Sequence, residues 1–306
     1  MNVRRIGLVA AAVVLSACTT LAPAPPPNAS SNAADFQPNV LYGENSTALG
    51  FDACSAPSAS NMLAWTHSPY RTIGIYIGGK AYACRPSNLT PQWLDTVGHY
   101  GWKFLPIWVG YQAPCVTNGG VPGSQRMSID WTNKIPGAQG TQEAADAVNV
   151  AAALGMGAVA QRIPIYYDME AYGRDPDCIN AVLQFTKAWT DELHAYGYSS
   201  GFYSSGASGI ADQVQFHDNP GYTPPDELWY AHWNNQPCSN SAVYGDRYVP
   251  DDEWVHHRHR QWCGGHNEAW GGVTINIDND SSDGTVVRWP VQPRSSLPPQ
   301  TKPASP

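Results

Sequence analysis

The stretch "IPIYYDMEAY", residues 163–172, decides how this chain is read. It opens with apolar and aromatic residues, the composition of a strand buried on both faces. It then runs into two carboxylates, Asp168 and Glu170, two positions apart. On a strand, residues i and i+2 point to the same face, so the pair is expected to project together, with backbones roughly 6–7 Å apart. A buried strand that finishes in acids places them at a carboxyl end, where barrel and open α/β enzymes keep their chemistry.

Seven further strand-like runs surround this one. They are "ALGFDAC" (48–54), "TIGIYIGG" (72–79), "KFLPIWVG" (103–110), "SSGFYSS" (199–205), "LWYAHW" (228–233), "RHRQWC" (258–263) and "VTINIDND" (273–280). Helix-like stretches lie between several of them, notably "TQEAADAVNVAAALGMG" and "DCINAVLQFTKAWTDELHAYG". Both have good helix formers, apolar spacings of three and four, and a closing glycine. Eight strands with intervening helices predict an α/β fold, a (β/α)8 TIM-type barrel, with a doubly wound open sheet as the alternative. The connectors 234–257 and 264–272 are less helical, so irregularity is expected in the last strands.

Two other strands also carry acids. "GFDAC" delivers Asp52, and "INIDND" delivers Asp278 with Asp280 close behind. If these runs are the first, fourth and last strands of one barrel, their acids converge on one mouth. Close like charges raise one pKa and leave a protonated acid beside an ionised partner. Glycoside hydrolysis needs that pairing: one acid protonates the leaving oxygen and a second carboxylate supports positive charge at the sugar carbon. Two other readings of Asp168 and Glu170 are open: they could cap a helix or pair with Arg174, or they could hold a metal.

Together, "GFDACSAPS", "YYDMEAY", "LWYAHW" and "INIDND" resemble the bacterial secreted glycoside-hydrolase-like domain, which is similar in plan to family 25 glycoside hydrolases, the lysozyme-type muramidases. The likeness covers about residues 47–285. It implies a barrel with its groove at the strand carboxyl ends. It also implies catalytic roles: Glu170 as general acid, Asp168 as the carboxylate that stabilises a reacting N-acetyl group or oxocarbenium ion, and Asp52 and Asp278 as residues that shape the subsite. The muramidase Asp-Val-Glu becomes Asp168-Met169-Glu170 here, which keeps both acids. The extra cysteines and "HHRHR" are not part of the muramidase pattern. A carbohydrate-binding pseudoenzyme stays open beside the glycosidase, as does a scaffold that recruits envelope proteins.

Twelve tryptophans and sixteen tyrosines are many for 306 residues. Aromatic rings near a mouth can stack on the C–H face of a sugar. Tyr167, Tyr172, Trp229, Trp233 and Trp262 are candidates for substrate binding, with His232 and Asp280; core packing is the alternative for each aromatic. "VHHRHRQW" puts His257 and His259 on one face, and His232 or Asp278 could complete a zinc site. "DNDSSDG" (278–284) has acids and a glycine but not EF-hand spacing. Neither signal outweighs the bland reading, and no metal or cofactor is expected. Ser205 lacks the G-x-S-x-G frame, and there is no G-x-G-x-x-G or P-loop.

The chain begins "MNVRRIGLVAAAVVLSACTT". Arg4 and Arg5, then an apolar run too short to span a bilayer, read as a signal peptide. Leu15-Ser16-Ala17-Cys18 looks like a lipobox, with Cys18 the lipidated first mature residue; an ordinary secretory signal is the alternative. The arginine pair hints at twin-arginine export. The expected organisation is signal 1–17, a Pro/Ala/Ser-rich linker 18–46, a barrel 47–290 and a disordered tail 291–306. Removing residues 1–17 takes two arginines and no acids, so the formal charge goes from −8 to −10. Such a chain has no electrostatic reason to hold nucleic acid. Expected partners are cell-wall glycan or another polysaccharide and, through the lipid, the outer face of a bacterial membrane. A monomer is expected. Beyond Cys18, six cysteines suggest up to three disulfides, of which only Cys238–Cys263 is favoured.

Overall fold

A computed structural model describes residues 42–84, 88–117, 119–130, 132, 135–157, 162–233 and 238–289. The signal-like segment, Cys18, most of the linker and the tail lie outside the described residues. The strands are β1 (Tyr42–Ser46), β2 (Leu49–Asp52), β3 (Thr72–Gly78), β4 (Lys103–Trp108), β5 (Pro164–Asp168), β6 (Ser199–Ser205), β7 (Glu227–Ala231), β8 (Arg258–Trp270) and β9 (Val273–Arg288). β2 to β8 pair in order, each parallel to the next. β9 runs antiparallel to both β8 and β2 and closes the ring into an eight-stranded barrel. All eight predicted runs are barrel strands. β1 adds an edge on β9, so the last five residues of the expected linker belong to the sheet.

The last strand departs from a parallel barrel for a physical reason. β8 extends through most of the segment taken as its connector and turns at Gly271-Gly272, with φ of 56° and 79°. A two-residue turn can join only antiparallel strands, whereas a parallel return needs a crossover of about a dozen residues. Asp278 therefore does not sit at a carboxyl end. It reaches the mouth because its strand runs the other way, pairing directly with Asp52.

The helices are α1 (Ala59–Ala64), α2 (Pro91–His99), α3 (Ile135–Ala153), α4 (Pro176–Ala195) and α5 (Ala211–Phe216). α4 starts where Asp175 accepts a hydrogen bond from the Cys178 N–H and Pro176 takes the first turn. It stops at Gly197, φ 81°. α3 begins earlier than its good helix formers suggest, taking in Pro136, Gly137 and Gly140. A Cβ at Gly140 would lie 2.3 Å from the Phe185 carbonyl, so the glycine lets α3 approach α4 closely.

Strand alternation sorts β5 between two cores. Ile165 and Tyr167 face the helices, with the Tyr167 ring against Phe185 and Trp189 of α4. Tyr166 faces the barrel interior with Leu105, Ile107, Trp229 and Val286. Gly74 leaves room there, since a Cβ would meet Trp229 at 2.9 Å and Asp52 at 2.6 Å. Three disulfides join Cys54–Cys84, Cys115–Cys178 and Cys238–Cys263, which fits an oxidising compartment. The favoured Cys238–Cys263 pair is among them. No described helix is long and apolar enough to cross a membrane.

Candidate functional site

Five carboxyl groups gather at one end of the barrel. Asp52 comes from the end of β2, Asp168 from the end of β5, Glu170 from just beyond it, and Asp278 and Asp280 from one face of β9. The strand ends at Asp168, so Glu170 is placed by other means. Gln112, in the loop after β4, donates to the Asp168 carbonyl at 2.8 Å and accepts from the Glu170 N–H at 2.7 Å. Met169 N–H is held by the Tyr203 carbonyl on β6 at 2.9 Å. The turn that presents Glu170 is thus clamped from both sides.

A second amide organises the opposite wall. Gln261 on β8 donates from Nε2 to Asp52 Oδ2 at 2.7 Å and, over 3.5 Å, to Asp278 Oδ2. Its Oε1 accepts from Tyr203 at 2.9 Å and from the Trp233 indole at 2.8 Å. The β8 bulge beside it aims the Gly265 N–H at Asp278 Oδ1. Deeper in the barrel, the Trp229 indole donates to Asp280 Oδ1 at 3.0 Å.

Burial and mutual repulsion favour the protonated forms here. Asp52 is pushed up to about 8, by burial first and by the Asp278 charge second, with the Gln261 amide opposing. Burial, then the charges of Glu170 and Asp52, carries Asp168 well above the usual carboxylate range. Asp280 rises well above it too, by burial and then by Asp52 and Asp278. Glu170 is raised by burial and by the Asp278 charge, and Asp278 by burial, against its bond from Gly265. Among the described residues no lysine or arginine ion-pairs with any of the five. Arg174 is committed elsewhere, to Asp212 at 2.6 Å, so it does not pair with Asp168 or Glu170.

Trp233 stands between two hollows at this mouth, with 54% of its surface exposed. One hollow, about 370 Å³, is lined by Glu170, Tyr203, His232 and Tyr248. The other, about 330 Å³, is lined by Asp52, Tyr76, Gly265 and Asp278. Trp233 borders both.

Of the other candidate residues, His232 lies at the mouth, its Nδ1 2.6 Å from Asp246. The aromatics divide by strand parity. Tyr167 cannot reach a ligand, because its neighbour Asp168 takes the inward face and leaves it under α4, donating to the Tyr111 carbonyl. Trp262 alternates with the inward Gln261 along β8, so it is turned outward, and it is buried, at 9% exposure. Tyr172 is buried against Asp212, donating to it at 2.6 Å. Trp229 is inside the barrel but 1% exposed, beneath the acids rather than among them. Asp280, 0% exposed, lies with it and reaches no ligand directly.

The histidines do not converge. His259 is interior, its Nε2 2.8 Å from the Tyr166 hydroxyl, and burial pushes it down to about 4. His257 lies at the other end of the barrel on Glu227. Residues 278–284 are strand, not a calcium loop. Among the described residues, one group has ligand atoms close enough for a metal: Cys115, Asp175 and Cys178, whose cysteines are bonded to each other. Gln261, Gln112, Tyr203, Tyr76 and Tyr248 were not anticipated. Gln261 was within reach, because it shares the inward parity of His259. Gln112 acts from a loop that carries no local pattern.

An eight-stranded α/β barrel with a carboxylate-lined mouth defines a protein of the glycoside-hydrolase-like class. The chain belongs to the Rv2525c-like, glycoside hydrolase-like domain family, whose model matches residues 63–282. Among solved structures it is similar to an uncharacterized B. stearothermophilus protein, at 16% identity and TM-score 0.48, covering 77% of this chain and 95% of that one. It is similar to the Mycobacterium tuberculosis Tat-secreted protein Rv2525c in complex with L-tartrate, at 16% identity and TM-score 0.49, covering 78% and 96%. It is also similar to the Clostridium perfringens spore cortex lytic enzyme SleM, at 14% identity and TM-score 0.49, covering 77% and 67%. No curated protein matches the sequence.

Proposed function

We infer that this protein acts on glycan of the bacterial cell envelope, hydrolysing glycosidic bonds of peptidoglycan or a related polysaccharide. The observation that carries the reading is the division of labour at the mouth. Glu170 is partly exposed at the lip of a hollow, whereas Asp168 behind it is 4% exposed. Burial and the Asp278 charge raise Glu170, so it keeps its proton more tightly than a free glutamate, which suits a group that protonates a leaving glycosidic oxygen. Among the described residues Asp168 has no lysine or arginine ion-pair partner, and its Oδ1 has no hydrogen-bond partner. Positive charge developing at the sugar carbon supplies the missing cation and favours ionised Asp168 in the transition state. Asp52 and Asp278 shape the neighbouring subsite, and the Trp233 face offers a platform for a sugar ring.

One observation favours a second reading, a barrel that binds glycan without cutting it. An acid as enclosed as Asp168 touches a substrate only if the mouth opens around it. Incubation with purified peptidoglycan separates the two readings when new reducing ends and co-sedimentation are measured together. Hydrolysis predicts ends released by the wild type, with none from Glu170→Gln and few from Asp168→Asn. Sedimentation with the glycan and no new ends supports a sugar-recognition module instead.

The same reading includes export and anchoring. Cys18 carries the lipid, residues 18–41 space the barrel from the membrane, and the protein works at the outer face. Metabolic labelling with a palmitate analogue, lost in Cys18→Ser, tests the anchor.

A further inference from the structure

Gln261 has no part in the proposed reaction, yet four hydrogen bonds meet on its amide. The indole N–H of Trp233 can only donate, so the atom facing it must be the Gln261 oxygen. The Tyr203 hydroxyl donates to the same oxygen. That fixes the other end: the NH2 group points at Asp52 and Asp278. The amide is buried, at 3% exposure, and it cannot flip without setting its oxygen against two carboxyl groups and its NH2 against an indole N–H. It therefore ties the acid pair inside one hollow to the tryptophan that borders both.

We propose that Gln261 is a positioning residue that couples the protonation of Asp52 and Asp278 to the placement of the Trp233 ring. When the acids are ionised, both amide hydrogens have strong acceptors, the amide is held, and its oxygen fixes the indole between the hollows. When they are protonated, those acceptors weaken and the hold on the ring weakens with them. Gly264 completes the seat: a Cβ there would lie 2.5 Å from the Trp233 ring, so a bare backbone is needed beneath it.

Other groups face this amide. Tyr76 from β3 and Tyr203 from β6 are held in their neutral, donating forms by burial and the surrounding carboxylates. Asp168 at the end of β5 and Asp280 on β9 act on Asp52, and Glu170, just beyond β5, and Asp280 act on Asp278. His266 of β8 acts on Asp278 in the opposite sense. Asp52 contacts the amide most closely and loses its proton at about 8, so it sets where the hold changes. Under the glycan reading, the consequence is a platform for one sugar ring that tightens as the acids ionise.

The test uses the free protein, so failure of the glycan reading leaves its outcome untouched. The Trp233 indole N–H resonance, identified by its loss in Trp233→Phe, is followed by NMR from about pH 4 to 10, beside the Asp52 carboxyl signal. The expected result is a Trp233 shift that tracks the Asp52 transition. In Gln261→Met, which keeps the length and removes the amide, the Trp233 shift no longer follows Asp52. The Asp52 midpoint also rises by about one unit or more, since a donor to the ionised form is gone. A Trp233 resonance that stays flat through the Asp52 transition in the wild type overturns the coupling, whether or not the variant folds. An unchanged Asp52 midpoint in a folded Gln261→Met overturns it as well.

Discussion

At the two ends of the barrel the same residue types meet opposite neighbours. At the amino end, four acids have basic partners among the described residues. Glu227 takes His257 at 2.8 Å, Asp226 takes His194 at 2.7 Å, Asp283 takes His256 at 3.1 Å, and Glu44 takes Lys103 at 2.7 Å and Arg288 at 3.0 Å. Against the upward pull of burial, Lys103 and Arg288 hold Glu44 below the usual carboxylate range, and the Tyr244 hydroxyl and then His256 hold Asp283 below it. At the carboxyl end, five acids face one another and are pushed upward. The first arrangement stabilises the fold. The second works against it, and a chain keeps such a cluster where chemistry or recognition requires it.

Swapping the neighbours tests this contrast most severely at Glu227. Glu227→Ala removes the acceptor of the part-buried Thr285 N–H, leaves a hole, and strips His257 of its partner. It should cost about 3 kcal/mol, read by urea unfolding, and leave action on glycan intact. His257 is raised in the fold by its bond to Glu227, so that bond stabilises below the unfolded value near 6.5 and is lost as pH rises through the folded one. The deficit of the variant should therefore be largest in acid. An equal deficit at all pH values would remove histidine from the account of this end.

The mouth should show its pH dependence for the opposite reason. Asp52 is raised from 3.8 to about 8, so the folded protein binds a proton there that the unfolded chain has released. Its stabilising contribution is complete below about pH 4 and is lost as pH rises toward 8. Asp52→Asn should be close to neutral in acid and more stable than the wild type at about pH 8, by several kcal/mol. Thermal unfolding at the two pH values checks it, and a variant destabilised at both would show that the Asp52 carboxyl is paired rather than strained.

The smallest expected effects concern the aromatics. Trp233→Ala should weaken glycan binding by about tenfold, the worth of one stacked ring. Tyr167→Phe should change binding by less than about twofold, since its hydroxyl reaches only the Tyr111 carbonyl under α4. Sedimentation with purified glycan compares the two, and equal losses would erase the distinction between mouth and helix face.

The strands were legible because apolar runs of this length, spaced by helix-forming stretches, admit few folds. The acids were legible because carboxylates at the ends of such runs have no structural reason to recur. Asp278 shows the limit: it was found on the assumption of a parallel last strand, whereas the Gly271-Gly272 turn makes that strand antiparallel. The aromatics show another limit. Alternation alone sends Tyr167 and Trp262 outward once Asp168 and Gln261 point in, so those two assignments could have been rejected from the sequence. Tyr172 and Gln112 could not, since their partners lie 40 and 56 residues away along the chain.

Counting new reducing ends on purified peptidoglycan, with the wild type, Glu170→Gln and Glu227→Gln side by side, tests the central claim most directly. The account predicts release by the wild type and by Glu227→Gln, and a loss of about a thousandfold in Glu170→Gln, the share of a general acid. Equal release by Glu170→Gln would contradict it and return the mouth acids to the same structural role as those at the other end.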